Sequence, residues 1–518
     1  MTAFEDLLAD PFASRMYLLE MTVYDKIALA EKTLYYCGGR RGFITEPSDT
    51  PSNQEYEPRL LVPLVFSQTL YSNGQFSGES IPGYGAITIV NADGALDDFI
   101  NYAVDGRRCV VKLGSPDFSY NEFGVVFDGT MESVEFSNTT IEVKVRDLQH
   151  VLALPLQQTV YSGSGGWNGT VDLTGRVIPH CYGRVRNGEP VLVDASNLRY
   201  QIHYRAVSQI DSVRDKGVSL TNFGDYVNLA ALDAAAIPAG DYATCLAQGC
   251  FKLGSSPVGQ VTFDAIGDSV GGATTDTATI VKRISSDVGL LTGFDTASFT
   301  ALTSLNNAVN GIYEPEQISI SEALTKLVNS IGAFYTFDRG GNLTVGRIDT
   351  PSGIPSAVFT KVEILSFMRK PTVTPNWRIK LGYKPNLRNL SQNEIASSFL
   401  PGGVNAALNS SLTDGFRYVV SEDASVKTAH LLAVDQEIQT TLDDQTAAQT
   451  ESDRLLAMFK VARDVYTVKV KTQPLTRKLG EIIEIVHSRY GLSNGKLFTI
   501  VGLVEDYVSS TVEMEVWG

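Results

Sequence analysis

The 518-residue sequence is poor in cysteine, in basic charge and in long apolar runs, and each shortage excludes a class of protein. An odd, scattered set of five cysteines is not typical of a disulfide framework. Cys245 and Cys250 lie five residues apart, but no second cysteine pair or nearby histidine completes a zinc or iron–sulfur site. We expect all five thiols to be buried and reduced: Cys37, Cys109, Cys181, Cys245 and Cys250.

Basic side chains are outnumbered, with 42 Lys and Arg against 58 Asp and Glu, and the formal net charge is -16. Such a chain is poorly suited to binding nucleic acid through phosphate contacts. Its charge serves either solubility alone or a path through which nucleic acid slides without sticking.

Apolar runs are short. The longest one near the N-terminus, Leu60 to Phe66, contains Pro63 and is too short to span a bilayer. The first 30 residues carry several acidic side chains and no long apolar core. We therefore expect no secretory signal, no stable membrane insertion and synthesis in a cytoplasm.

Catalytic signatures are also scarce. The sequence has no P-loop, and Gly78-Glu-Ser-Ile-Pro82 lacks the fifth-position glycine of a nucleophile elbow. Neither HExxH nor HxxxH spacing occurs among the five histidines: His150, His180, His203, His430 and His487. We predict no enzyme, no catalytic residue, no metal site and no cofactor. Paired carboxylates for glycoside cleavage stay open, since the fold sets their separation.

What the sequence does contain is a three-strand pattern at both ends. The early copy runs from Gly106 through Gly129 to TIEVKV, and the late copy from Gly480 through Gly502 to TVEMEV. Aligned glycine to glycine, the first interval is 23 residues early and 22 late. Any antiparallel meander shares alternation and glycine turns, so the equal order and spacing carry the interpretation. The repeat predicts two similar β-barrels.

This repeat divides the chain into four expected domains and a mainly β fold with α+β parts. A β-barrel over 1–160 and a second over 356–518 flank a β-rich middle domain over 161–272 and a small α/β domain over 273–355.

Apolar spacing predicts four helices. They lie at 95–104, at 278–291, after the capping box Ser319-Ile-Ser-Glu322, and at 445–463. Turn residues predict a linker at 161–170, a hairpin at Asn187-Gly188, another at Gly340-Gly341-Asn342, and an exposed loop at 386–415. The apolar C-terminal strand is expected inside a sheet.

Four segments together resemble the baseplate or tail-tip hub proteins of long-tailed, siphophage-type bacteriophages and related gene transfer agents. They are IPGYGAITIVNADGALDDFINYAVDGRRCVVKLG, GRVIPHCYGRVRNGEPVLVD, ISEALTKLVNSIGAFYTFDRGGNLTVGRI and VHSRYGLSNGKLFTIVGLVEDYVSSTVEMEVWG. None is a catalytic signature, and the 161–270 region has no simple counterpart in the family.

The resemblance implies a structural virion protein, assembled in the host cytoplasm as a homotrimer with two barrels per chain. Six barrels would match the sixfold tail tube, and threefold symmetry would suit a central fibre or spike. The implied partners are a distal tail protein ring, that fibre or spike, and the tape measure protein. DNA would pass through the channel without specific binding.

Three alternatives stay open. A tail-tip protein could bind host-surface glycans through 161–270 or 386–415. A tail-associated cell-wall hydrolase and a hexameric distal tail ring are the others.

Overall fold

The computed structural model describes residues 3–10, 12–72, 75–287, 289, 293–371, 373–471 and 473–518. The side chains of 71–82, 473 and 474 lie outside that description. The Gly78–Pro82 motif and the end of the predicted helix 278–291 fall on such residues.

The N-terminal region is a closed barrel of seven strands. Pairing runs in the order β1–β2–β4–β5–β9–β8–β7 and returns to β1. Alternation places Ile141, Val143 and Val145 of β9 in the core. The elements are α1 (Ala3–Ala9), β1 (Met16–Asp25), β2 (Ala30–Gly38), β3 (Phe43–Ile44), β4 (Glu55–Ser72), β5 (Gln75–Val90), β6 (Tyr102–Ala103), β7 (Arg108–Gly114), β8 (Gly124–Phe136) and β9 (Thr140–Arg146).

The middle region adds two five-stranded sheets. Its elements are β10 (His180–Gly188), β11 (Val191–Asp194), β12 (Arg199–Gln201), β13 (Val207–Asp215), β14 (Val218–Ser219), β15 (Thr221–Asp225), α2 (Leu229–Ala234), β16 (Asp241–Cys245), β17 (Cys250–Leu253) and β18 (Val261–Asp268). One sheet has the order β11–β12–β17–β16–β15. The other has the order β14–β13–β18–β10 and ends on β20 of the next region, Gly311–Glu314.

The helical region carries its predicted helix and hairpin. Ser319 caps α5 by accepting a hydrogen bond from the Glu322 N–H at 3.2 Å, and Gly332 follows the helix at φ +61°. A turn at Asp338–Gly341 then joins β21 to β22. The elements are α3 (Thr277–Asp287), β19 (Gly293–Phe294), α4 (Thr296–Leu305), β20 (Gly311–Glu314), α5 (Ile320–Asn329), β21 (Ala333–Phe337) and β22 (Asn342–Arg347).

The C-terminal region has a second barrel-like sheet, ordered β23–β29–β30–β31–β28–β24. Its two edge strands are joined by residues 361–363. The elements are β23 (Val358–Thr360), β24 (Ile364–Arg369), β25 (Asn376–Tyr383), α6 (Ser410–Thr413), β26 (Arg417–Glu422), α7 (Val426–Ala429), β27 (Val434–Gln439), α8 (Gln445–Phe459), β28 (Val465–Val470), β29 (Ile482–Val486), β30 (Lys496–Asp506) and β31 (Thr511–Trp517). The segment between β24 and β28 forms a separate three-stranded sheet, β26–β25–β27, against α8.

The mainly β fold class with a barrel is therefore confirmed, and β31 lies between two strands as expected. Two local predictions are wrong. Residues 95–104 form only a short 3-10 turn, Asp97–Asn101, because the Asn91 side chain binds the Leu96 N–H at 2.8 Å and Tyr102 starts a strand on β1. Asn187-Gly188 forms no hairpin, because Asn187 (φ +48°) occupies a register shift inside β10.

The segment 386–415 also differs from the expected exposed loop. It contains short helical turns and buries a small apolar core of its own: Leu390, Ile395, Phe399 and Leu412. Its Ala396 N–H donates to the Lys216 carbonyl at 2.9 Å, so it is tied to the middle region.

Candidate assembly interface

The two predicted meanders share their backbone hydrogen bonds. The Gly106 N–H donates to the Met131 carbonyl at 2.9 Å, and the Gly480 N–H donates to the Ile500 carbonyl at 2.8 Å. Both glycines have positive φ, +71° and +86°. The residue after each glycine accepts a hydrogen bond in return. The Met131 N–H donates to the Arg107 carbonyl at 2.8 Å, and the Ile500 N–H donates to the Glu481 carbonyl at 2.9 Å. Met131 and Ile500 therefore occupy equivalent positions.

A β-bulge recurs at the same place and fixes the alignment. The β8–β9 register shifts between Met131 and Ser133, and the β30–β31 register shifts between Ile500 and Gly502. Ser133 is thus the counterpart of Gly502. Alignment of Gly129 with Gly502 from the sequence is wrong, since the counterpart of Gly129 is Phe498.

The two glycines serve different purposes. A Cβ on Gly129 would lie 2.5 Å from the Arg146 carbonyl, so a neighbouring strand excludes a side chain there. At Gly502, beyond the bulge, a Cβ would lie 3.0 Å from the Cβ of Glu515 and 3.2 Å from Oγ1 of Thr69 in the other barrel.

Strand β4 joins the two barrels. Its residues Val65–Thr69 pair antiparallel with Gly502–Asp506 of β30 while still pairing with β5. The Thr69 hydroxyl donates to the Val501 carbonyl at 3.2 Å. Leu503 and Glu505 are each only 4% exposed. One continuous sheet therefore runs from the N-terminal barrel into the C-terminal barrel.

A buried ion pair lies at this junction. Arg339, from the β21–β22 turn, donates from Nε to Oε1 of Glu505 at 2.9 Å and from a terminal nitrogen to the Arg477 carbonyl at 2.7 Å. Burial, and then the adjacent Glu505 carboxylate, raises the pKa of Tyr507 well above its usual value. The protonated Tyr507 hydroxyl donates to Glu505, and the Tyr17 hydroxyl donates to the Tyr507 carbonyl at 2.9 Å. Three regions thus meet around this ion pair, with Arg339 and Tyr507 on the carboxylate and Tyr17 on the Tyr507 backbone.

Among the described residues, the equivalent half of β8 has no such partner. Of the strands that the structure describes, only β7 and β9 pair with β8. The pairing with β7 extends along β8 only as far as Thr130. Residues Ser133–Phe136 therefore have one unpaired edge. Phe136, the counterpart of Glu505, is 51% exposed. In the C-terminal barrel, β24 pairs with β28 alone within the described part of the chain.

The remaining sequence candidates lie apart from this junction. All five cysteines are buried and free. His180 and His203 lie together in the middle region, with ring centroids 5.7 Å apart, and His180 stacks on Tyr204 at 4.2 Å. Burial, and then the charges of His203 and Arg205, lowers the pKa of His180 to about 3. His150 is half-buried near Asp147, and His487 stacks on Phe367 at 4.7 Å.

Nothing in the described ranges groups three or more His, Cys, Asp or Glu side chains as metal ligands. A membrane-spanning helix is likewise not found among those residues. A groove of about 710 Å³ lies where α5 faces Thr440 and Thr441. Sequence reasoning missed the β4–β30 pairing and Arg339–Glu505. The one available signal was a carboxylate, Glu505, in an otherwise apolar strand pattern.

No family model matches the sequence, and no curated protein matches it. Several solved structures align with most of the chain. A tail protein from Neisseria meningitidis MC58 is 10% identical, with 97% of this chain and 96% of that chain covered and a TM-score of 0.42. The 43 kDa tail protein of prophage MuSo2 from Shewanella oneidensis is 11% identical, with 97% and 98% covered and a TM-score of 0.40. A chain of a native gene transfer agent virion is 12% identical, with 70% and 86% covered and a TM-score of 0.43.

These are tail and virion proteins, in agreement with the resemblance stated from the sequence. At such identities and TM-scores the likeness carries no argument about function.

Proposed function

We propose that this chain is a structural virion protein, a trimeric tail-tip or baseplate hub that adapts a sixfold tail tube to a threefold central fibre or spike. The observation that carries the proposal is the edge-to-edge joining of two equivalent barrels by β4 and β30. A duplicated unit with a head-to-tail contact is the simplest device for building a ring from fewer chains than units.

The contact is heterologous, since β4 of one barrel meets β30 of the other. Repetition of a heterologous contact closes a ring when the rotation per step divides a full turn. Each chain supplies two steps, so three chains supply six. The choice of six follows from the hub resemblance, and the strand edges supply the means of repetition.

The acidic composition fits a channel for DNA. Three chains, each with a net charge of -16, repel phosphates wherever their carboxylates face the lumen. We propose that DNA passes without specific binding. The distal tail protein ring would contact one face and the fibre or spike the other, with the tape measure protein reaching the lumen.

Light scattering on the purified chain tests the oligomeric state. A trimer has three times the chain mass of 56.2 kDa, and this is the expected result. A hexamer would instead support a distal tail ring. A monomer at every accessible concentration would contradict a self-assembling hub.

A further inference from the structure

Strand β24 is the counterpart of β4. Each strand pairs antiparallel with the strand that precedes the meander, β28 or β5, and that strand in turn pairs with the last meander strand, β31 or β9. The shared bulge makes Lys144 of β9 equivalent to Glu515 of β31. Their partners on the neighbouring strand, Ala86 and Thr467, are therefore equivalent. The next partners along, Val65 of β4 and Met368 of β24, are equivalent in turn. Because Val65–Thr69 of β4 pairs with β30, the equivalent described residues are 368–371, of which Met368 and Arg369 lie in β24.

Both members of the equivalent contact are present and unpaired. Within the described residues, no strand pairs with the outer edge of β24 or with the β7-side edge of Ser133–Phe136 in β8. Leu365 and Met368 are 53% and 58% exposed, and Phe136 is 51% exposed. An exposed strand edge with apolar side chains is a template for pairing with another chain.

We propose that the β24 edge of one copy pairs antiparallel with the distal half of β8 in the next copy, in the register that β4 and β30 use within the chain. The occupant of each edge is thus a second copy of this chain. This inference deepens the proposed hub function and rests on it, since it names the contact through which the ring repeats.

The register sets which residues face each other. Transferring Glu505↔Phe66 and Val504↔Ser67 to the new contact places Phe136 opposite Arg369 and Glu135 opposite Lys370. The Lys370 N–H already donates to the Val465 carbonyl at 2.8 Å, on the β28 side. Lys370 and Glu135 therefore form a non-hydrogen-bonded pair, whose Cα atoms lie about 4.5 Å apart in antiparallel sheets.

Charge supports this register. Glu135 forms an ion pair with Lys144 on one side, and Lys370 forms an ion pair with Glu515 at 2.9 Å. Joining the edges places Lys370 beside Glu135, which directly faces Glu142 on β9 and reaches Lys144 diagonally. Opposite charges directly across a strand pair stabilise it, whereas like charges destabilise it.

One residue departs from the template. Pro371 stands where β4 has Gln68, and proline has no N–H to donate. The contact between copies therefore has one hydrogen bond fewer than the β4–β30 contact at that pair. Pro371 lies two residues beyond the end of β24, so the missing N–H does not interrupt that strand.

Engineered disulfides test the contact. We would combine Glu135→Cys with Lys370→Cys in the full chain, oxidise the protein and separate it by non-reducing electrophoresis. The expected result is covalent multimers that end at a closed trimer. Ser67→Cys with Val504→Cys is the positive control, because this intrachain pair has the same geometry and should close within the monomer. Glu135→Cys with Ser366→Cys, four residues out of register, should not cross-link.

The outcomes separate this inference from the hub proposal. A trimer by light scattering without a Glu135–Lys370 cross-link would overturn the strand contact and leave the hub standing. Cross-linking into an open ladder beyond three chains would support the contact and contradict the closed ring. A wild-type chain that stays monomeric, together with a Glu135→Cys/Lys370→Cys variant that does not cross-link, would overturn both.

Charge reversal provides an independent check. Glu135→Lys and Lys370→Glu should each lower the trimer fraction at fixed protein concentration. The double variant should recover only part of this loss, because each reversed charge then faces its former intrachain partner, Lys144 or Glu515. The effect should weaken at high salt, since both side chains are partly exposed. Equal loss in the single and double variants would contradict the pairing.

Discussion

The two barrels have the same meander but end it differently. In the C-terminal barrel, the strand half beyond the bulge is covered by β4 and holds the buried Glu505. In the N-terminal barrel, the same half is uncovered and presents Phe136. A carboxylate is suited to the covered position because Arg339 and Tyr507 satisfy it. An exposed aromatic side chain is suited to the position that awaits a partner.

The comparison shows what a duplicated domain contributes. The glycine turns, the bulge and the hydrogen-bond pattern are retained in both copies, and these set the backbone. The side chains beyond the bulge differ, and they distinguish a contact made within the chain from one left available. Changes at matched positions in the two barrels therefore measure the covered and the uncovered edge separately.

The largest expected effect comes from Glu505→Gln. The change leaves the Arg339 guanidinium, whose side chain is 20% exposed, without its carboxylate. Loss of one partner of a fully buried ion pair destabilises a protein by about 3–5 kcal/mol, which is the upper bound here. Urea unfolding should show this loss. The double change Arg339→Met with Glu505→Leu should be less harmful, because it removes both charges.

The matched control is Phe136→Ala at the equivalent position of the other barrel. In a single chain, outside any contact between copies, this side chain is half exposed, so the free energy of unfolding of the monomer should fall by about 1 kcal/mol or less. Equal losses at Glu505 and Phe136 would mean that the two edges do not differ in burial.

The turn glycines should give a smaller, graded difference. Gly106→Ala places a Cβ at φ +71° with nothing within 4 Å, so only the left-handed backbone is penalised, by about 1–2 kcal/mol. Gly480→Ala adds a contact at 2.8 Å from Cζ of Phe334, and we expect a further 1–3 kcal/mol from overpacking. Thermal unfolding of both variants checks the order, and a larger loss at Gly106 would contradict it.

Acid should weaken the middle region while leaving the barrel comparison unchanged. The pKa of His180 is about 3 in the fold, against about 6.5 when unfolded, so the unfolded chain binds more protons between those values. The free energy of unfolding therefore falls as pH drops through this window, by about 2 kcal/mol at pH 5 from this side chain.

The groups that face His180 are Tyr182, His203, Tyr204, Arg205 and Asp268. His180→Phe preserves the stack on Tyr204 and should reduce the pH dependence of unfolding between pH 8 and pH 5. His430→Gln, outside this cluster, is the control. An unchanged pH profile in His180→Phe would show that the imidazole does not contribute.

Sequence patterns predicted the parts of the fold that depend on local alternation. Period-two patterns located both meanders, and the Ser319 capping signal located α5. The alignment of Gly129 with Gly502 failed because the C-terminal copy is shorter between its turn glycine and the bulge, and because the two glycines pack against different neighbours. The helix predicted at 95–104 failed because the Asn91 side chain competes for the backbone, which amphipathic spacing does not register.

The junction itself was beyond sequence reasoning. Pairing of Val65–Thr69 with Gly502–Asp506 joins segments more than 400 residues apart. Nothing in the sequence of either segment identifies the other as its partner. The Arg339–Glu505 pair depends on the same long-range packing. The repeat nevertheless indicated two similar meanders, and the structure supplies the contact that relates them.

Electron microscopy of the purified oligomer tests the central claim most directly. If the two barrels occupy equivalent places in one ring, end-on class averages should show six lobes around an open centre, with threefold symmetry. Three lobes, with the second barrel of each chain outside the ring, would contradict the equivalence of the barrels.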